Sequence, residues 1–125
     1  MPVKKQTMTK LFLIKADFTD PQADSEGKRY FCPYCATVEG VLSYYPELKE
    51  KLDIQYVDFK RPRPAIIDLI GEENQSCPVL IIDEGNEPVS ENIKLKAANG
   101  KLFINETDDL FKYLSEAFGI GFPHS

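Results

Sequence analysis

The sequence predicts an α/β fold: a single domain over residues 1–125, with a central mixed four-stranded sheet and helices on both faces. Three observations predict it. Short apolar runs of strand length alternate with stretches whose apolar residues recur at helical spacing. Clusters of Pro, Gly, Asn and Asp separate them, and the resulting order β, α, β, α, β, β, α suits a sheet covered on both sides. A chain of 125 residues can close one hydrophobic core, and it shows no repeat, low-complexity tract or linker.

The first element is Leu11–Phe18, a short apolar run bounded by polar residues that reads as a buried strand after a lysine-rich, frayed start. From Thr19 to Lys28 the chain is polar, with Pro21 and Gly27, and predicts an unusually long loop that either covers something or moves freely. A helix is expected from Pro33 to about Tyr44, then a further turn or two from Pro46 to Leu52 with Pro46 opening it. Val38, Val41, Leu42, Tyr45, Leu48 and Leu52 form its apolar stripe.

Ile54–Phe59 alternates as a strand, with few polar members, and Lys60–Pro64 is a turn. Ala65–Ile70 is a short helix stopped by Gly71. Cys77–Ile82 is a third strand opened by proline, followed by a turn at Asp83–Asn86. Glu87–Gly100 is the hardest segment to assign; within it Ile93–Ala97 is a candidate fourth strand, joined by Asn99-Gly100 to Lys101–Ile104. The last helix has Thr107 as N-cap, Asp108 and Asp109 in its first turn and Leu110, Phe111, Leu114 and Phe118 on one face, and it ends at Gly119.

The net charge of −5 leaves no basic surplus to displace counterions from a nucleic-acid backbone, so nucleic acid is not an expected partner. No apolar stretch approaches the ~20 residues of a membrane span, and Met1–Gln6 is not followed by an apolar signal region. The expected location is therefore the cytoplasm, with no membrane partner. There, three cysteines read as thiols, redox groups or metal ligands rather than a disulfide framework.

Cys32-Pro33-Tyr34-Cys35 is the stretch that carries chemistry. With Pro33 as first helical residue, the sulfur of Cys32 meets the unpaired N–H groups and positive dipole end of the helix, which favour a thiolate and make it the nucleophile. Cys35, one turn further in, is shielded yet close enough to resolve a mixed disulfide on Cys32. The plainer alternative is a pair of half-buried thiols kept for packing. Asp17 and Asp58, at predicted strand ends, are either proton-transfer groups for Cys35 or turn residues. Lys60, Arg61 and Arg63 form the one basic run and, with Arg29, read as a solvated surface or as a site that recognises carboxylates of a small peptide or an acidic partner. His124, two places from the last residue, reads as part of a tail rather than a ligand.

Cys-Pro-Tyr-Cys at a helix start, a Pro-initiated strand and a capped final helix resemble a glutaredoxin, within the thioredoxin fold, over most of the chain. The resemblance implies a thiol–disulfide oxidoreductase in which Cys32 attacks and Cys35 resolves. It implies that Arg29, three places before Cys32, contacts a glutathione carboxylate. Pro78 would be cis and lie against the cysteine pair, with the backbone of Cys77 pairing with bound glutathione or peptide. Thr107 and Asp108 would hold the γ-glutamyl end. Read from the residues themselves, Tyr34, Tyr30 and Phe31 are either an apolar contact for a substrate or, for Phe31 at least, part of the core. No resident cofactor is implied; glutathione is a candidate co-substrate, and protein disulfides are the other substrates. Three features depart from that pattern: the long Thr19–Lys28 loop, Asn105-Glu106 in place of paired glycines, and the length of Asp83–Gly100. Tyr30–Cys35, Val38-Glu39-Gly40 and Gly71–Gln75 together are most similar to a small bacterial family of thioredoxin-like proteins of unknown function.

In this fold a residue before a cis proline faces the cysteine pair, which would bring three sulfurs together. Cys77 is then a plain apolar strand opener, a thiol to which the disulfide is diverted, or a third ligand. In that last case Cys32, Cys35 and Cys77 hold zinc, copper(I) or an iron–sulfur centre in a binding module rather than an enzyme.

Overall fold

The computed structural model describes residues 8–83 and 90–124. Most of the frayed start expected before Leu11 (residues 1–7), and the body of the turn expected after Asp83, lie outside them. The element order is β1 (Lys10–Ile14), α1 (Pro33–Tyr44), α2 (Leu48–Lys51), β2 (Asp53–Val57), α3 (Pro64–Ile70), β3 (Val79–Ile82), β4 (Lys96–Ala98), β5 (Lys101–Ile104) and α4 (Thr107–Phe118).

The sheet is mixed and has five strands, in the order β2-β1-β3-β5-β4, not four. β1 runs parallel to β2, with Leu11 opposite Ile54 and Leu13 opposite Tyr56. β3 is antiparallel to β1 and to β5. The candidate strand at Ile93–Ala97 forms as the edge element β4, three residues long and shifted toward the turn, paired antiparallel to β5 across Asn99-Gly100, so that both it and β5 count as strands. Its residues are half-buried or exposed, so it lacks the apolar alternation that marks a strand in sequence. Both turn residues take positive φ, 51° at Asn99 and 74° at Gly100, as a two-residue hairpin turn requires.

Two apolar clusters lie on opposite faces of the sheet. On one, Leu11 and Leu13 of β1 with Leu80 and Ile82 of β3 pack against Cys35, Val38 and Leu42 of α1, Leu48 of α2, and Leu110, Tyr113 and Leu114 of α4. On the other, Phe12, Val79, Ile81 and Phe103 pack against Ile66 and Ile70 of α3. Odd and even strand residues thus separate cleanly, as the pleat demands. All four residues of β3 are buried, because this central strand is covered on both faces.

Several boundaries differ from the sequence reading. β1 stops at Ile14, and Phe18 instead forms an isolated bridge with Tyr30 and stacks on Phe59 at a centroid distance of 4.2 Å. The apolar character of Phe18 serves that loop contact, not the sheet. β3 begins at Val79, so Cys77 and Pro78 lie in the turn before it. Thr107 is not the N-cap of α4. It is the first helical residue, Glu106 holds the cap position in extended backbone, and no side chain caps the helix. The helix does end at Gly119 in left-handed backbone (φ 75°), which a residue without Cβ adopts at no steric cost.

Leu42 is fully buried in the α1 cluster. Truncation to alanine is expected to cost ~2–5 kcal/mol through lost burial and a residual cavity. Urea denaturation measures this, and a loss well under ~1 kcal/mol would contradict the packing of α1 on the sheet.

Candidate active site

The first turn of α1 presents the two thiols differently. Cys32 is the N-cap (φ −78°, ψ 116°), and its sulfur accepts the backbone N–H of Cys35 at 3.3 Å. That satisfies one of the N–H groups a helix leaves unpaired at its start. Pro33 follows in the first turn, where its missing N–H is no loss. Cys32 is half-buried, while Cys35 is 3% exposed. The sulfur of Cys35 accepts the backbone N–H of Ile14 at 3.4 Å, which ties the helix start to the end of β1. Burial pushes the Cys35 thiol up to about 12, and the neighbouring thiols of Cys32 and Cys77 act in the same direction.

Cys77 and Pro78 are joined by a cis peptide bond, and a second one joins Arg61 to Pro62. Half-buried Cys77 touches both apolar clusters, and burial pushes its thiol up to about 11 while Arg63 and Arg61 pull the other way. All three cysteines are free thiols within electrostatic reach of one another. Among the described residues, however, no three His, Cys, Asp or Glu side chains are arranged to hold a metal ion, so the three-sulfur ligand set finds no support in the geometry.

Phe31, just before the pair, and Tyr34, between its two cysteines, are 62% and 64% exposed. A core role for Phe31 is thereby overturned; both rings are available to a substrate. Arg29 is also exposed, at the end of the long loop. Asn105, just before α4, donates to the hydroxyl of Ser76 at 3.5 Å, which brings the α4 entrance beside the Cys77-Pro78 turn. Thr107 there is half-buried and Asp108 exposed. The carboxylate of Glu106 does not stand alone: Lys96 lies 3.8 Å from it and donates to Asn105 at 2.6 Å. Asp58 pairs with Lys15 at 3.1 Å in the open, and Asp17 occupies a positive-φ turn position. Both fit the turn-residue reading.

The Thr19–Lys28 loop is organised around Asp24. Its carboxylate accepts the N–H groups of Glu26 and Lys28 and the hydroxyl of Tyr30, the last at 2.9 Å. The Tyr30 bond is the main reason that carboxyl is held below the usual range. Phe18 and Tyr30 exchange both backbone hydrogen bonds, closing the loop directly before Phe31 and Cys32. Loop length and polarity gave no hint of this hub.

A family model described as a protein of unknown function (DUF3088) matches residues 8–123. The chain belongs to the DUF3088 family. No curated protein and no solved structure matches it.

Arg63 of this DUF3088 chain is the residue that sequence reasoning placed most wrongly. It is 5% exposed rather than solvated. Its guanidinium donates to the carbonyls of Asp58 at 3.1 Å, Gln75 at 2.6 Å and Phe59, and its backbone N–H donates to the Gln75 side chain at 2.8 Å. The only hint in the sequence was its position between Pro62 and Pro64, where two rings restrict the backbone. Arg63 also lines a cleft of about 840 Å3 beyond the ends of β1 and β2, with the stacked Phe18 and Phe59 and with Lys60 and Arg61. No helix among the described residues is long and apolar enough to cross a membrane.

A cysteine in the unfolded chain loses its proton near 9.0, whereas folded Cys35 keeps it to about 12. The stability this difference supplies is fully present below about pH 9 and is lost as pH rises from there toward 12. Urea midpoints of the reduced protein are therefore expected to fall between about pH 8 and about pH 10.5, and Cys35→Ala should make that fall shallower. An identical slope in the variant would contradict the burial of this sulfur.

Proposed function

We propose that the chain is a thiol–disulfide oxidoreductase of glutaredoxin or thioredoxin type on a thioredoxin-like fold, with Cys32 attacking and Cys35 resolving. The observation that carries this reading is the asymmetry of the pair: one sulfur half-exposed at a helix start, the other buried one turn behind it with its backbone N–H on the first. The sheet order, with α1 and α4 on one face and α3 on the other, supports the fold assignment.

In the proposed reaction the Cys32 thiolate attacks a substrate disulfide R–S–S–R′. A Cys32–S–R bond forms, and R′–S⁻ leaves with the electron pair and takes up a proton. Cys35 then gives up its proton and attacks the Cys32 sulfur, expelling R–S⁻. The substrate gains two electrons, and the chain is left as the Cys32–Cys35 disulfide. The deep burial of Cys35 keeps it protonated and unreactive until a mixed disulfide brings a leaving group to its neighbour. Exposed Arg29, Phe31 and Tyr34 and the Cys77-Pro78 turn are the surfaces on which glutathione or a protein disulfide would rest. Thr107 and Asp108, in the first turn of α4, would hold the γ-glutamyl end, with Lys96 lying 3.8 Å from the neighbouring Glu106 carboxylate.

Turnover of a small mixed disulfide with glutathione as reductant tests the assignment. Cys32→Ser is expected to abolish it, while Cys35→Ser should keep the one-thiol reaction and accumulate glutathione on Cys32, visible by mass spectrometry. Full activity in Cys32→Ser would remove the assignment.

A further inference from the structure

Arg63 is a cation taken out of water without an anion to meet it. None of the ion pairs among the described residues includes it; its partners are the carbonyls of Asp58, Phe59 and Gln75, with the Phe59 ring 5.9 Å from the guanidinium carbon. Burying an unpaired charge is costly, and three backbone acceptors offset the cost without cancelling the charge. The bond to Gln75 holds the guanidinium against the turn that leads through Ser76 to Cys77 and Pro78. Burial is the main influence on its ionisation and lowers its pKa; among neighbouring groups Cys77 comes first, opposing that shift, followed by Arg61, which adds to it.

We propose that Arg63 is a positioning residue for the cysteine site, a fixed buried positive charge held beside Cys77 that staples the turn before Pro78 to the end of β2. Its value to catalysis rests on the oxidoreductase reading; its effect on the sulfurs does not. The carbonyl staple sets where the charge sits, because a planar fork with five donors can bind three acceptors from two chain segments at once. Arg61 adds a second cation near Cys77. The exposed Asp58 carboxylate pairs with Lys15 at 3.1 Å, and among the described residues no ion pair joins it to either arginine.

Alkylation of the fully reduced protein by iodoacetamide at about pH 7.5, resolved by residue with mass spectrometry, separates charge from staple. Arg63→Met is expected to slow modification of Cys77 by at least about threefold, the scale of one removed unit charge at short range. Arg63→Lys keeps the charge but not the fork, and is expected to stay within about twofold of the parent rate even where its stability falls. Parent-like rates in Arg63→Met, or equal slowing in both variants, would overturn the proposal. Should Arg63→Met not fold, Arg63→Gln replaces it. Should neither fold, Arg63→Lys decides alone, a parent-like rate supporting the charge and a slowed one overturning it. The measurement needs no turnover, so a chain inactive toward disulfides would sink the oxidoreductase reading while leaving this test intact.

Discussion

The placement of the first turn of α1 is the constraint on which the rest of the site depends. Val38 and Leu42 bury that helix against β1 and β3, and the N–H of Ile14 reaches the Cys35 sulfur at the end of β1. Hydrophobic burial, worth roughly 1.5–3 kcal/mol for each large side chain, fixes the axis of the helix. The weak N–H to sulfur contact then sets how far its tip projects. One sulfur is consequently kept in the core and the other at the surface, although they are only three residues apart.

Around that tip, the segments most free to wander are tied by groups that act on backbone. Asp24 gathers the loop before Cys32 through two N–H groups and the Tyr30 hydroxyl. Arg63 gathers the segment after β2 and the turn before Pro78 through carbonyls. Asn105 links the α4 entrance to Ser76 of the same turn. An anion satisfies the donors of one segment and a cation the acceptors of another, which is how irregular chain remains ordered without a sheet or helix to pair its polar groups. It also leaves a local concentration of cations, Arg61 and Arg63, beside sulfur in a protein whose net charge is −5.

The regular parts of this architecture were legible because they obey local rules. The Cys-Pro-Tyr-Cys helix start, the apolar stripe of α1, the buried β3 and the Gly119 stop each follow from periodicity or from a residue with one conformational use. What stayed hidden depends on distant partners. Phe18 extended the reading of β1 because nothing nearby in sequence reveals Phe59 as its partner, 41 positions on. Arg63 read as surface because its burial depends on Gln75, 12 residues away. The strand before Asn99-Gly100 was legible as a candidate, but its bounds were not: β4 is only three residues and starts at Lys96 rather than Ile93. Thr107 has the right chemistry for a cap, but the chain turns one residue earlier, at Glu106.

The most direct test of the account is to equilibrate the protein in glutathione redox buffers and map the oxidised form by mass spectrometry. A reversible Cys32–Cys35 disulfide, with Cys77 remaining a thiol, is the predicted result. An oxidised form linked through Cys77, or no internal disulfide across the whole buffer range, would contradict the division of labour between the exposed and the buried sulfur.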